Sequence, residues 1–245
     1  MMTIKRFGDY IALFLGLLLI WQCLHWIAGD IALTSPAVTF RHLGALLATG
    51  DFWLDVAETG RAFGLGVLIS LIGGIGIGVM LGLNRTAGTV SEPILIALYS
   101  LPKVTLYPLV LLCFGLGLSA KVAFGAMHGL IPVSIFTMNA IMQIKAVYWR
   151  TGRALRLSPR QTALTIALPA VVPEVIVGAR IGFSLTLLGV LIGEMFASQR
   201  GLGFLITRAM GLGDIATIMA IAVFLSIFAI GTNALLLQLD RLVRH

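Results

Sequence analysis

Residues 145–169 read KAVYWRTGRALRLSPRQTALTIALP, a polar island carrying five basic side chains (Lys145, Arg150, Arg153, Arg156, Arg160) and no acidic one. Its flanks are apolar: Val122–Ile144 has no charged residue, and Pro173–Phe196 has only Glu174, Arg180 and Glu194. A bilayer core of about 30 Å takes about 20 apolar residues as a helix, and each flank reaches that length. Lys and Arg are enriched in cytoplasmic loops of membrane proteins. The island is therefore expected to be a cytoplasmic connection between two membrane crossings.

The rest of the chain repeats that pattern. Of its 245 residues, 59% are hydrophobic and 11% charged, against about 25% charged in a soluble domain. Four more spans are expected: Tyr10–Ala28, Ala62–Leu83, Pro93–Gly117 (interrupted by Pro102, Lys103 and Pro108) and Ile215–Leu239. The fold class is thus all-α, a polytopic membrane bundle of about six helices. The net charge of +7 resembles a nucleic-acid footprint, but the basic residues sit beside the spans. Membrane orientation accounts for them and no nucleic-acid partner is expected. Cys23 and Cys113 lie within apolar spans and are read as packing residues.

With the N-terminus inside, the inner segments hold ten basic residues: Lys5, Arg6, Arg85, Lys145, Arg150, Arg153, Arg156, Arg160, Arg241 and Arg244. The outer segments hold five: Arg41, Arg61, Lys121, Arg200 and Arg208. Both termini are expected to be cytoplasmic. Lys5 and Arg6 before an apolar run resemble a signal peptide, but the run is long and no clear small-x-small cleavage site follows, so an uncleaved first helix is expected. Residues 1–61 are assigned to that helix and an outer interfacial segment, and 62–245 to a five-helix core. Ser35-Pro36 marks a turn in the outer segment. Val38, Leu43, Leu46 and Leu47 then suggest a short interfacial helix, and Asp51 a cap for a second one leading into the next span. Gly74, Gly78 and Gly82 recur every fourth residue, a spacing that lets helix backbones approach closely. Packing within the bundle is the expected use, with a dimer seam as the alternative.

The chain has few places for chemistry. Gly115–Lys121 lacks the spacing of a phosphate-binding loop, so any ATP must be bound elsewhere. The four histidines (His25, His42, His128, His245) are scattered and suggest no metal site. An intramembrane protease pairing Ser119 with His128 is disfavoured, since nine residues of helix separate them by about 13 Å. A buried His128 bonded to a backbone carbonyl is expected instead. The charges inside spans are more telling, because a Lys, Arg or Asp at a helix centre costs about 2.5–3.5 kcal/mol on translocon scales. Lys103 falls near mid-span, Arg180 nearer the cytoplasmic start, where it can snorkel, and Glu194 near the far end. Arg180 and Glu194, roughly 21 Å apart along a helix, cannot pair within one subunit's span. Ion pairing between helices and a polar lining for a solute path both fit these charges. Lys103, Tyr107 and Glu194 are the candidate path residues.

Several landmarks occur together in order: Leu33-Thr-Ser-Pro-Ala-Val38, Leu101-Pro-Lys-Val-Thr-Leu-Tyr-Pro-Leu109, Phe114-Gly-Leu-Gly117, Leu168-Pro169, Pro173, Gly178-Ala-Arg180, Glu194-Met195 and Gly201-Leu-Gly203. In these the chain resembles the permease subunits of binding-protein-dependent ABC importers, in the branch that handles nitrate, sulfonates, taurine and thiamine precursors. The resemblance implies a type I importer permease fold in the bacterial inner membrane. It implies a homodimer of this chain in lipid, a cytoplasmic ATPase dimer that binds ATP and Mg, and a periplasmic solute-binding protein. This chain itself would bind no cofactor and catalyse no reaction.

The family carries a cytoplasmic coupling helix marked E-A-A, three residues, then G, with an L-P about a dozen residues later. Counting back from Leu168-Pro169 and Gln161 puts it at Arg150, Thr151, Gly152, Arg153, Ala154, Leu155, Arg156, Leu157 and Ser158. Here E-A-A reads Arg150-Thr151-Gly152, and the glycine position reads Arg156. A secondary transporter is the alternative, but it calls for an inverted repeat and paired membrane carboxylates; neither is evident.

Overall fold

The computed structural model describes residues 2–243. Arg244 lies outside that range, as do the side chains of Lys5, Arg6 and Arg241, so these four basic residues enter the orientation count from sequence alone. The described chain is helical with no strand.

Helix α1 (Met2–Ala28) lies at the periphery. Its described apolar part, Ala12–Ala28, is shorter than a typical span. Trp21 Nε1 donates to the Thr34 carbonyl at 3.0 Å and ties it to the next element. That element, α2 (Pro36–Leu47), starts as expected: the Ser35 hydroxyl accepts from the Val38 N–H, with Pro36 at the first turn.

Helix α3 (Gly50–Gly82) corrects the expectation of a separate short helix at Asp51. One unbroken helix of 33 residues runs from the outer segment through the span. The boundary expected at residues 61 and 62 falls inside it, and the residue at its N-cap position is Thr49.

The expected span Pro93–Gly117 is not one straight helix. Helix α4 (Arg85–Ser100) begins earlier, where the Asn84 side chain accepts from the N–H groups of Thr86 and Ala87. It ends at Leu101, whose extended backbone is what a residue before proline adopts. The chain resumes as a 3₁₀ turn (Lys103–Leu106) and helix α5 (Tyr107–Phe114), bent by 85° from α4. Pro102 has no N–H to continue the ladder, which fixes the break there.

Helix α6 (Leu118–Met142) is the axis of the bundle and the most buried of the spans. It packs between α3 and α9 (Leu168–Ala197). The short helices α7 (Ala146–Ala154) and α8 (Pro159–Thr162) and a π turn (Ala163–Ala167) connect α6 to α9, with Pro169 in the first turn of α9. The fifth span thus begins well before Pro173, and the helical run from Arg160 to Phe196 is 37 residues long. Helices α10 (Leu202–Leu212) and α11 (Ile215–Val243) complete the chain. Among the described residues four helices are long and apolar enough to cross a membrane, and the bent α4–α5 pair makes a fifth.

Glycine sets the closeness of the α3–α6 contact. A Cβ on Gly74, Gly78 or Gly82 would stand 2.6, 2.5 and 2.9 Å from the Cβ atoms of Val133, Thr137 and Ile141. The glycine row therefore serves packing inside the subunit. Ser70 on α3 reaches across to the Ala126 carbonyl and to the Thr186 hydroxyl, both at 3.1 Å. Phe63 on α3 meets Phe183 on α9 edge to face, 4.6 Å between centroids.

Candidate translocation and coupling sites

The polar island folds as a helix, a tight reversal and a second helix. Helix α7 holds Arg150, Thr151, Gly152, Arg153 and Ala154, and the reversal holds Leu155, Arg156, Leu157 and Ser158. The Leu157 N–H bonds to the Gly152 carbonyl at 2.9 Å and the Arg156 N–H to the Arg153 carbonyl at 3.0 Å. These two bonds define a Schellman ending, in which the residue after the cap takes the left-handed conformation. That residue is Arg156, at φ 53°, and it alone among non-glycine residues has a positive φ in the described chain. Arg156 thus adopts the backbone shape that glycine favours.

Ser158 then opens α8 as a capping box. Its N–H bonds to Gln161 Oε1 at 2.9 Å, and the Gln161 N–H bonds back to its hydroxyl at 3.2 Å. Gly152 is the buried residue of α7 and lies against Thr162, where a Cβ would stand 2.5 Å from Thr162 Cγ2. Arg150, Arg153, Arg156 and Arg160 are exposed, as are the apolar Val147, Trp149 and Leu155. The result is a cationic and partly apolar projection between two spans.

A second polar assembly joins α3, α6, α9 and α10 at the opposite end of the bundle. Its centre is Glu194, fully buried. The Thr59 hydroxyl lies 3.0 and 2.8 Å from its two carboxylate oxygens, and the Gly203 N–H donates at 3.0 Å. Lys121 Nζ lies 3.9 Å from Glu194 Oε1 and 2.9 Å from Glu58 Oε1. Asp55 accepts from the Gly201 N–H at 2.9 Å. Gly201 sits at φ 120°, and a Cβ there would collide with the Glu194 carboxyl. The Tyr107 hydroxyl donates to the Gly193 carbonyl at 2.7 Å. Glu194 and Tyr107 are thus brought close to one another, each with its polar atoms engaged inside the subunit.

Lys121, expected in an outer loop, lies instead in the first turn of α6 and is buried. Ser119, also expected in a loop, is in that same turn, and its hydroxyl donates to the Phe114 carbonyl at 2.8 Å. His128 is buried with Nδ1 2.8 Å from the Phe124 carbonyl oxygen, as expected.

Lys103 lies apart from this cluster, at the α4–α5 bend. It is buried and donates to the Tyr99 carbonyl at 2.9 Å, with Nζ 5.2 Å from the centroid of the Tyr99 ring. Arg180 does not reach to the interface by snorkelling alone: its Nη2 donates to Asn233 Oδ1 on α11 at 2.9 Å. Tyr99, Arg180, Ser184 and Asn233 share the lining of a cleft of about 360 Å³. The sequence marks Arg180 as a span charge but carries no signal for Asn233, 53 residues away. It carries none for Thr59, 135 residues from the carboxylate that it bonds, whereas Gly203 stands in one of the landmarks.

Among known families, the model described as "Binding-protein-dependent transport system inner membrane component" matches residues 74–245. Among curated proteins, the nitrate import permease protein of Synechococcus elongatus is 29% identical, over 98% of this chain and 88% of its own length. The bicarbonate transport system permease protein of the same species is 28% identical, over 94% of this chain and 84% of its own length. The taurine transport system permease protein of Escherichia coli is 26% identical, over 64% of this chain and 57% of its own length.

Proposed function

The chain belongs to the inner membrane components of binding-protein-dependent transport systems, and on that premise we propose that two copies form the path of an importer for a small anion. It is a transport permease, not an enzyme. The proposed partners are a cytoplasmic ATPase dimer, which binds and hydrolyses ATP, and a periplasmic protein that delivers the solute. Residues 62–245 form the proposed core and 1–61 its first helix and outer interfacial segment, with both termini in the cytoplasm.

The observation that carries this reading is the α7–α8 projection. Its left-handed turn falls at Arg156, the position that the resemblance assigns to the signature glycine. That turn supports reading the projection as a coupling helix although the side chains differ. Arg150 to Ser158 would seat in the ATPase, and its ATP-driven closure would swing the bundle through α6 and α9, the two spans that the projection joins. The anionic class of solute is supported by the relatives named for nitrate, bicarbonate and taurine, the last of which bears a sulfonate. Lys103, Tyr107 and Glu194 remain the proposed path residues, with Tyr107 and Glu194 acting by shaping the outer end.

The test is reconstitution. Expressed with a neighbouring ATPase gene product and placed in proteoliposomes, the chain should co-purify with the ATPase. It should then move solute only when ATP and a loaded binding protein are both present. Solute movement by the chain alone, driven by an ion gradient, would establish a secondary transporter instead.

A further inference from the structure

We propose that the cleft between α4, α9 and α11 is an anion site, in which Arg180 holds a small oxyanion or sulfonate during passage. The inference rests on the importer reading above and gives its path a specific cation. Three observations meet here. Arg180 uses one N–H for Asn233, and its buried Nε has no partner among the described residues. No carboxylate among them lies within ion-pairing distance of Arg180 or Lys103. A second cation stands one residue away from the lining: Tyr99 lines the cleft with Arg180 and holds Lys103, itself outside the lining, through its carbonyl and ring.

An arginine inside a span without an acidic partner faces water or a cavity rather than lipid, because the hydrocarbon offers it nothing. The open side of the cleft is therefore a place for solvent and solute. A guanidinium presents a planar fork that matches the oxygens of a nitrate, bicarbonate or sulfonate. Asn233 holds that fork at Nη2, Nε is buried, and the remaining Nη donors are available. The volume of about 360 Å³ admits such an anion with part of its water. The buried Lys121 is unsuited to this role, since Glu58 and Glu194 already occupy it.

The experiment measures binding apart from transport. The chain with its ATPase in lipid nanodiscs is titrated at constant ionic strength with sodium nitrate, bicarbonate, taurine and isethionate, and thermal stability is followed. At least one anion should raise the melting temperature saturably. Arg180→Gln should raise the half-saturating concentration about tenfold or more, with Arg180→Lys between. Ser184→Phe, at an exposed position on α9, should block the cleft with the charge intact and so guard against misfolding of the glutamine variant. The proposal is overturned if no anion saturates the wild type, or if the Arg180→Gln and Ser184→Phe proteins saturate as it does. ATP-dependent uptake is measured separately. Anion binding that depends on Arg180 without such uptake would overturn the importer reading and leave the site standing.

Discussion

Lys121 on α6 and Glu194 on α9 form an ion pair, 3.9 Å between Nζ and Oε1, in which the side chains are 3% and 0% exposed. Removing one member of a buried pair costs up to about 3–5 kcal/mol; here Lys121 would keep Glu58, whereas Glu194 would keep only its hydrogen bonds from Thr59 and Gly203. Lys121→Met should therefore lower the melting temperature of the detergent-solubilised protein markedly. Glu194→Gln should lower it less, since an amide retains an acceptor for Thr59 and Gly203. The double variant should recover part of the loss, because the orphaned carboxylate is then gone. Simple additivity of the two single effects would show that the pair is not coupled.

The contact between α3 and α6 predicts a contrast between two glycines two residues apart. A Cβ on Gly78 would stand 2.5 Å from Thr137 Cβ and 2.8 Å from the Ser134 carbonyl oxygen, so the helices would have to part. A Cβ on Gly76 meets nothing within 4 Å. Gly78→Ala should destabilise by about 1–3 kcal/mol, the usual cost of overpacking. Gly76→Ala should be neutral or slightly stabilising, because alanine is the better helix former. Equal melting temperatures for the two variants would contradict this packing.

These glycines are legible in sequence because their four-residue period is local. The uncharged spans and the place of the polar island are legible for the same reason. What escapes depends on distant partners. Asp55 and Glu58 fall on the short outer helix read from sequence, but their partners, the Gly201 N–H and Lys121, lie far away in the chain. Lys121 reads as a loop cation, and only the fold brings it between two carboxylates. The break at Pro102 is visible but not its angle, which is set by how both limbs pack on α6. In the candidate site the sequence marks Lys103, Arg180 and Glu194 as costly charges. It does not separate Glu194, which is fully engaged, from Arg180, which is not.

The corner between α10 and α11 carries a pH dependence. Asp214 accepts from the Thr217 N–H at 3.0 Å and from the Thr217 hydroxyl at 2.6 Å, and His42 from α2 meets the same hydroxyl at 2.8 Å. The hydrogen bond from the Thr217 hydroxyl is the main cause holding the Asp214 carboxyl below the ordinary aspartate value, against an opposing effect of burial. A carboxyl depressed in the folded state stabilises it fully above the unfolded value, about 3.9, and loses that contribution as pH falls through the folded one. Asp214→Ala should lower stability at neutral pH by about 0.5–2 kcal/mol, as loss of a helix cap does. The difference from wild type should be constant from pH 7 to 5 and shrink below about pH 4. A gap that persists undiminished into acid would remove the carboxylate from the explanation.

Arg156 lets the shape of the coupling projection be separated from its charge. A non-glycine residue in the left-handed conformation carries a strain of about 1–2 kcal/mol, and Arg156 holds it at φ 53°. Arg156→Gly should relieve that strain, keep the Schellman ending, and slow amide exchange at Leu157, whose N–H bonds to Gly152. If the ATPase recognises the backbone shape and the exposed apolar residues Val147, Trp149 and Leu155, this variant should co-purify with it as well as wild type does. Reversing both charges with Arg153→Glu and Arg156→Glu keeps the strain and changes the sign of the surface. That pair should weaken co-purification, more so at low salt than at high, because exposed charges are screened over about 10 Å at 0.1 M. Unchanged co-purification of the doubly reversed protein at low salt would mean that these arginines do not face the ATPase.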